Sequence, residues 1–378
     1  MALFNTTLNA AMRGVVYSGV PYEVTVQNLP VPSIINQINA VVRITTSGIC
    51  GSDLHYYRGV IGGSSVPFTV GYEAIGYISE VRSAVSSLSV GDYVVISDTA
   101  SHGSLQMETA PDEYFGGGGD LDGLQAEYAR VRFADAHLIP VPPNSNTTTP
   151  SLEQNYVTVG DIFATAWTAL NRSGFEPRDS VAVSGAGPVS LLAAYSAILR
   201  GASLVYSVDH VQQRLDLAEF IDVIPTNFVD SDPLQNILSQ EPGGATRRRH
   251  ASLNAKLETD EDILIRQMVG VTRVRGGIGI AGAYQASPDG SGVPCGSSIS
   301  PNATLPMTEF FSKGLSIRGG PVDPKLVAPE LARRVRLIAR VEAHPSFITS
   351  AVIDIEEAPQ YYQAFNRQDE SKVFIRFA

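Results

Sequence analysis

Cysteine is nearly absent: Cys50 and Cys295 are the only two in 378 residues. A disulfide framework is excluded, and so is any metal site built on four cysteines. Basic residues are also scarce, 27 Lys and Arg against 38 Asp and Glu, a net charge of −11. A surface of that sign repels phosphate backbones, which argues against a nucleic-acid partner. No apolar run reaches the length of a bilayer span. The opening residues MALFNTTLNA have neither the basic start nor the continuous apolar stretch of a secretory signal. These absences predict a cytoplasmic protein with no membrane partner.

The chain has 44% hydrophobic and 17% charged residues, a composition that folds, and its length suits two or three domains. From Arg13 to Pro142 short apolar runs such as Ala40–Ile44 and Tyr93–Ile96 alternate with Gly, Pro, Ser and Asp, the mark of short strands joined by turns. From Gly160 to Gly320 strand and helix alternate. Ser180–Val183 and Leu204–Val208 read as strands, Pro188–Leu199 and Arg214–Phe220 as helices, which predicts a parallel sheet covered on both faces. Gly116–Gly119 predicts a mobile loop or a tight backbone approach. The one basic run, Arg247–His250, reads as a solvated loop.

Two groups of residues carry chemistry. The first is Gly185-Ala186-Gly187-Pro188-Val189-Ser190, placed between a strand and a helix. Gly185 suits a tight turn, and Gly187 lets the backbone approach a pyrophosphate on the helix N-terminus. The next strand ends at Asp209, about 20 residues on, where a carboxylate accepts ribose hydroxyls and repels an extra phosphate. The expected cofactor is NAD.

The second group is Gly48-Ile49-Cys50-Gly51-Ser52-Asp53-Leu54-His55, followed by Gly71-Tyr72-Glu73-Ala74-Ile75-Gly76 and by Gly91-Asp92-Tyr93-Val94. With Gly123–Tyr128, Asp161–Thr165, Gly276–Gly282 and Leu315–Arg318, the sequence resembles the zinc-type medium-chain alcohol dehydrogenases, and most of all their formaldehyde-dehydrogenase-like branch. The resemblance implies an α/β protein: a GroES-like β-barrel catalytic domain (1–155 and 322–378) and a Rossmann domain with a doubly wound parallel sheet (156–321), with a small-molecule substrate in the cleft between them. It implies a homodimer or homotetramer. It places zinc ligands at Cys50, at Tyr72 where the family has histidine, and at Asp161, with Glu73 alongside. Ser52 and His55 fall on the family's proton relay, and Arg214 and Gly282 join the cofactor-binding positions.

Three departures qualify that picture. Tyr72 replaces an imidazole with a phenol of pKa near 10, which must lose its proton before it can bind a metal. Cys50, Glu73 and Asp161 remain as ligands, and catalytic zinc is expected below one equivalent. The region from Ser97 to Gly119, where the family's four-cysteine lobe lies, holds no cysteine, so a structural zinc is not expected. Finally, the fourth Rossmann strand falls on Arg247–Ser252, and arginines cannot fill a strand buried on both faces. The sheet is expected to be short of a strand or irregular there.

The activity these residues imply is NAD-dependent oxidation or reduction of an alcohol, aldehyde or activated double bond. Without a normal zinc, Tyr72 would hydrogen-bond the reacting oxygen while Ser52 and His55 carry the proton, beside Glu73. The alternatives are a redox-neutral isomerase, lyase or cyclase, which would fit secondary metabolism, and a non-catalytic binding protein. Tyr56, Tyr57, Tyr114, Phe115 and Trp167 suggest a substrate larger and more apolar than a short alcohol.

Overall fold

The computed structural model describes residues 11–61, 65–100, 113–144, 146–241, 245–250, 262–282, 292–298, 300, 302–338 and 344–377. The chain divides into two compact units, one of residues 1–160, 289–296 and 351–378, the other of 161–288 and 297–350. Among the described residues no helix is long and apolar enough to cross a membrane.

In the first unit the described strands are β1 (Ala11–Tyr17), β2 (Val24–Pro30), β3 (Ala40–Ile49), β4 (Phe68–Thr69), β5 (Ala74–Val81), β6 (Tyr93–Ile96), β7 (Tyr128–Val131) and β8 (Leu138–Pro140). They form a three-stranded sheet, β2-β1-β4, and most of a seven-stranded one. The expected barrel is corrected here: the described strands pair as two open sheets. The segment before β7 bridges them. Val15 N–H donates to Gln125 O at 2.9 Å on one side, and Ile44 N–H to Glu127 O at 2.9 Å on the other. β3 is long enough to serve two neighbours along one edge. Its first residues pair with β7, and its last with a strand from the far end of the chain, Lys372–Arg376.

The second unit carries β9 (Ser180–Ser184), β10 (Leu204–Asp209), β11 (Ile224–Asn227), β12 (Ala245–His250), β13 (Thr272–Ile280) and β14 (Ser316–Arg318). All are parallel, in the order β11-β10-β9-β12-β13-β14. Chain direction across the sheet therefore reverses between β9 and β12, the switch point of a doubly wound fold, where ligands settle at the carboxyl ends of the strands. The remaining strands are β15 (Thr349–Ile353) and β16 (Lys372–Arg376), which extend the seven-stranded sheet beside β3.

Two expectations about loops change. Arg247–His250 is not a solvated loop: its backbone is the central strand β12, paired to β9 and β13. Without it both neighbours would present unpaired N–H and C=O groups inside the sheet. The expected irregularity is present as a register shift between Ala245 and Arg247. Ala251 and Ser252 lie outside the described residues, as does 101–112 in the cysteine-free lobe. The run Gly116–Gly119 resolves to the tight approach. Gly116 sits at φ +67°, and a Cβ there would lie 2.6 Å from Gly71 O and 2.7 Å from Gly71 N.

Candidate active site

Cys50 follows β3 directly and is buried. Its backbone N–H donates to Asp53 Oδ2 at 2.8 Å, which closes the turn into the short helix Asp53–Tyr57. Ser52 is the residue before that helix, and His55 is on it, half-buried. Burial first, and Arg58 second, push the His55 imidazole down to about 4. It is neutral at pH 7 and able to accept a proton.

Tyr72 and Glu73 occupy the turn between β4 and β5, both buried. Gly71, at φ +93°, makes the bend possible, and a Cβ there would run into Gln125. Glu73 has no solvent exposure. Its carbonyl accepts from Gly48 N–H at 3.0 Å and from the Ser47 hydroxyl at 2.8 Å, pinning the turn to β3. Its carboxylate Oε2 accepts from the Lys372 ammonium, which also donates to Ile49 O at 3.1 Å. Oε1 has no hydrogen-bond partner. Gly48 makes room for the pair, since a Cβ there would strike Glu73 Oε2 and lie 3.0 Å from Lys372 Nζ.

Asp161 is the junction at which the chain passes from the first unit to the second. Gly160, to which it is bonded, is fixed in the first: its carbonyl accepts from Asp98 N–H at 3.1 Å, and its bare Cα lies against Ile96 O. Asp161 stands before the helix Ile162–Arg172, yet its side chain makes no capping bond to the helix backbone. Instead Oδ1 accepts from the Thr165 hydroxyl at 3.0 Å. Cys50, Glu73 and Asp161 are all buried, and their ligand atoms lie within 4.8 Å of one another. A thiolate and two carboxylates suit a divalent cation, so the donor set fits the metal that the sequence resemblance implies.

Asp53, Gln125, Tyr362 and Lys372 are hydrogen-bonded to these residues, to Gly48 or to one another. Asp53 and Gln125 lie in the motifs that carry the resemblance, but none of the four was assigned a role from the sequence. Gln125 Nε2 donates to Gly48 O and to Asp53 Oδ2, each at 3.1 Å, and its Oε1 accepts from the Tyr362 hydroxyl at 2.9 Å. Burial raises the Asp53 carboxyl to about 7, against the pull of the Cys50 amide and Lys372. Burial also raises the Tyr362 phenol well above its ordinary value. The available signal was a lysine opening the otherwise apolar run Lys372–Ile375.

At the carboxyl ends of β9 and β10 the glycine turn forms as expected. Gly185 adopts φ +94° and donates to Val208 O at 2.6 Å. Gly187 precedes the helix Pro188–Leu199, with Pro188 in its first turn and Val189 next. Asp209 is buried. Its Oδ2 accepts from Ala186 N–H at 2.6 Å, and its Oδ1 from His210 and Val211 N–H at 2.7 and 3.0 Å. The carboxylate thus ties the glycine turn to the end of β10. Arg214 is buried near it. Desolvation lowers the guanidinium and Asp209 partly offsets that. Gly282 follows the carboxyl end of β13.

Three of the aromatic residues proposed for substrate contact are core instead: Tyr57, Phe115 and Trp167 are almost fully buried. The guanidinium groups of Arg200 and Arg334 each lie 4.7 Å from the centroid of the Trp167 ring. Tyr56 and Tyr114 are half-buried.

Residues 36–143 match the alcohol dehydrogenase GroES-like domain. A medium chain reductase/dehydrogenase of Acremonium is 34% identical over 235 residues, 59% of this chain and 78% of that protein. A probable zinc-binding alcohol dehydrogenase of Mycobacterium tuberculosis is 32% identical over 291 residues, 73% and 70% of the two chains. The chain belongs to the zinc-type alcohol dehydrogenase family. The solved alcohol dehydrogenase of Thermus sp. ATN1 superposes with a TM-score of 0.81 at 28% identity, over 97% of this chain and 99% of that one. An alcohol dehydrogenase-like oxidoreductase with GroES-like and Rossmann domains is thereby established.

Proposed function

We propose that the protein is an NAD-linked oxidoreductase that interconverts a small-molecule alcohol and its carbonyl compound. What carries the cofactor half of this reading is the glycine turn at the switch point of the parallel sheet, with Asp209 closing the neighbouring strand. Helix Pro188–Leu199 offers its N-terminal N–H groups and dipole to the pyrophosphate. Asp209 has lone pairs left for the ribose and meets an added phosphate with like charge, so NAD is favoured over NADP.

In the other half, Cys50, Glu73 and Asp161 are the residues that would hold a divalent metal, which when bound supplies Lewis-acid polarisation of the substrate oxygen. Ser52 passes the hydroxyl proton to His55. That imidazole is neutral across the physiological range and accepts the proton before releasing it to solvent. Tyr72, next to Glu73 in the same buried turn, would supply a phenol hydroxyl that hydrogen-bonds the reacting oxygen.

The test is calorimetric titration with NAD and NADP, followed by NADH formation across a panel of primary and secondary alcohols. NAD should bind more tightly than NADP, and Tyr72→Phe should lower turnover about a hundredfold. Tighter NADP binding would reverse the cofactor assignment. Full activity in Tyr72→Phe would reduce Tyr72 to packing. Turnover of the natural substrate with no nicotinamide present would move the protein to the isomerase, lyase or cyclase reading.

A further inference from the structure

We propose that Cys295 is a modification site for hydroperoxides: its thiol is oxidised to a sulfenic acid, and the oxygen it gains is held by the Tyr17 hydroxyl. The inference goes beyond the oxidoreductase reading and involves neither nicotinamide nor metal.

Tyr17, the last residue of β1, ends in a hydroxyl with nothing to bond to. The residue is 3% exposed, and Oη is buried without a hydrogen-bond partner. The ring stands edge-on to Phe68, with centroids 5.5 Å apart, so turning the hydroxyl out to water would break that packing. A buried O–H left unbonded is destabilising and calls for a reason.

Its surroundings supply one. Gly59 adopts φ +66°, and a Cβ there would lie 3.3 Å from Tyr17 Oη and 3.3 Å from Pro294 Cβ. The hydroxyl and the residue before Cys295 therefore flank the same bare Cα. Cys295 is tied to that spot by its backbone, its N–H donating to Gly59 O at 2.7 Å. Burial raises the Tyr17 phenol above its ordinary value, and Cys295 raises it further. The sulfur is thus close enough to act on the phenol electrostatically, while no hydrogen bond joins the two. A phenol raised in this way keeps its proton and remains a donor. An oxygen added to the sulfur reaches one bond further and gives that donor an acceptor.

The thiol is also open to attack. Cys295 is only partly buried, whereas Cys50 is buried, and Gly292 and Pro294 beside it are exposed. Residues 289–296 belong to the first unit, as Tyr17 and Gly59 do, so the site is complete within that unit. In the reaction the thiolate attacks the terminal oxygen of the hydroperoxide. The S–O bond forms as the O–O bond breaks, and the sulfur is oxidised by two electrons. The leaving alkoxide or hydroxide takes up the thiol's proton and departs as alcohol or water. Tyr17 then donates to the sulfenic oxygen, which protects it from further oxidation and from condensation with a second thiol.

The experiment treats the reduced full chain with hydrogen peroxide, removes the excess with catalase and adds dimedone after increasing delays. Peptide mass spectrometry locates the adduct. Cys295 should carry it, and its sulfenic acid should persist about tenfold longer than in Tyr17→Phe. That substitution keeps the ring against Phe68 and removes only an unbonded hydroxyl, so the reduced variant should unfold in urea at the wild-type midpoint or above. Cys295→Asp sets a permanent oxygen one bond beyond the sulfur's place, and in that background Tyr17→Phe should lower the midpoint.

No adduct at Cys295, or an adduct at Cys50 alone, would overturn the proposal. So would equal lifetimes with and without the Tyr17 hydroxyl, the result expected if a water already satisfies it. Loss of stability on Tyr17→Phe in the reduced chain would show a hydroxyl already bonded and would count against it equally. None of these readouts uses NAD, metal or turnover, so failure of the proposed function leaves this inference standing.

Discussion

Lys372 lies where no water reaches, and its side-chain nitrogen bonds to Glu73 Oε2 and Ile49 O. Removing one partner of a buried pair leaves the other charge uncompensated, at a cost of about 3–5 kcal/mol. Lys372→Met should therefore lower stability by that order in urea unfolding. The double variant with Glu73→Gln should recover part of the loss, because the orphaned carboxylate is gone. A loss under 1 kcal/mol in the single variant would show that the pair contributes little. His55 gives a prediction of opposite chemical character. Its folded value near 4 lies below the ordinary 6.5, so the unfolded chain takes up the proton first as pH falls. Its contribution to stability is complete above pH 6.5 and is lost as pH falls from there to 4, by up to about 3 kcal/mol. The stability difference between wild type and His55→Gln, measured from pH 7.5 to 4.5, should move in the wild type's disfavour on acidification. A constant difference would refute it. That Cys50, Glu73 and Asp161 come together was legible because they lie in short motifs that the family resemblance aligns. Lys372 and Gln125 were not. Their roles arise only when β16 pairs with β3 and the 125–127 segment bridges two sheets, arrangements that no local pattern encodes.

At the scale of elements, the glycine-rich run Gly276–Gly282 matters mainly for packing. Side-chain atoms added at Gly277 or Gly279 would collide with the backbone carbonyls of Ser173 and Ala169, so β13 accepts the helix Ile162–Arg172 only because both positions are bare. Gly279→Ala should cost more than 2 kcal/mol, since overpacking against backbone cannot be relieved by a rotamer change. Its thermal midpoint should drop by several degrees while Gly314→Ala, which meets no atom within 4 Å but sits at φ +58°, loses about 1 kcal/mol through backbone conformation alone. Equal losses would remove the packing explanation. The alternating strands and helices of the second unit were readable from apolar runs and turn residues. The strand β12 was not, because its arginines contradict the composition of a central strand. The deciding force there is the hydrogen-bonding demand of β9 and β13, which is set by neighbours and not by the residues of β12 themselves.

Over the whole molecule, the first unit is assembled from three separate stretches of chain, and its last strand comes from 372–376. The ammonium that neutralises Glu73 is 299 residues away in sequence. On a ribosome adding about 5–20 residues per second, that interval is roughly 15–60 s. During it the nascent chain holds β3 and β5 without the strand that completes their sheet and without the cation that makes Glu73 tolerable in an interior. The second unit emerges during the wait and can fold first, although its residues come later. Stalled chains ending before residue 370 should accordingly remain open to protease around residues 40–80 while the parallel sheet is already resistant, and release of the full chain should close both. The order of synthesis and the order of folding thus run in opposite directions, which makes the 40–80 region the part of the newborn protein most in need of a chaperone.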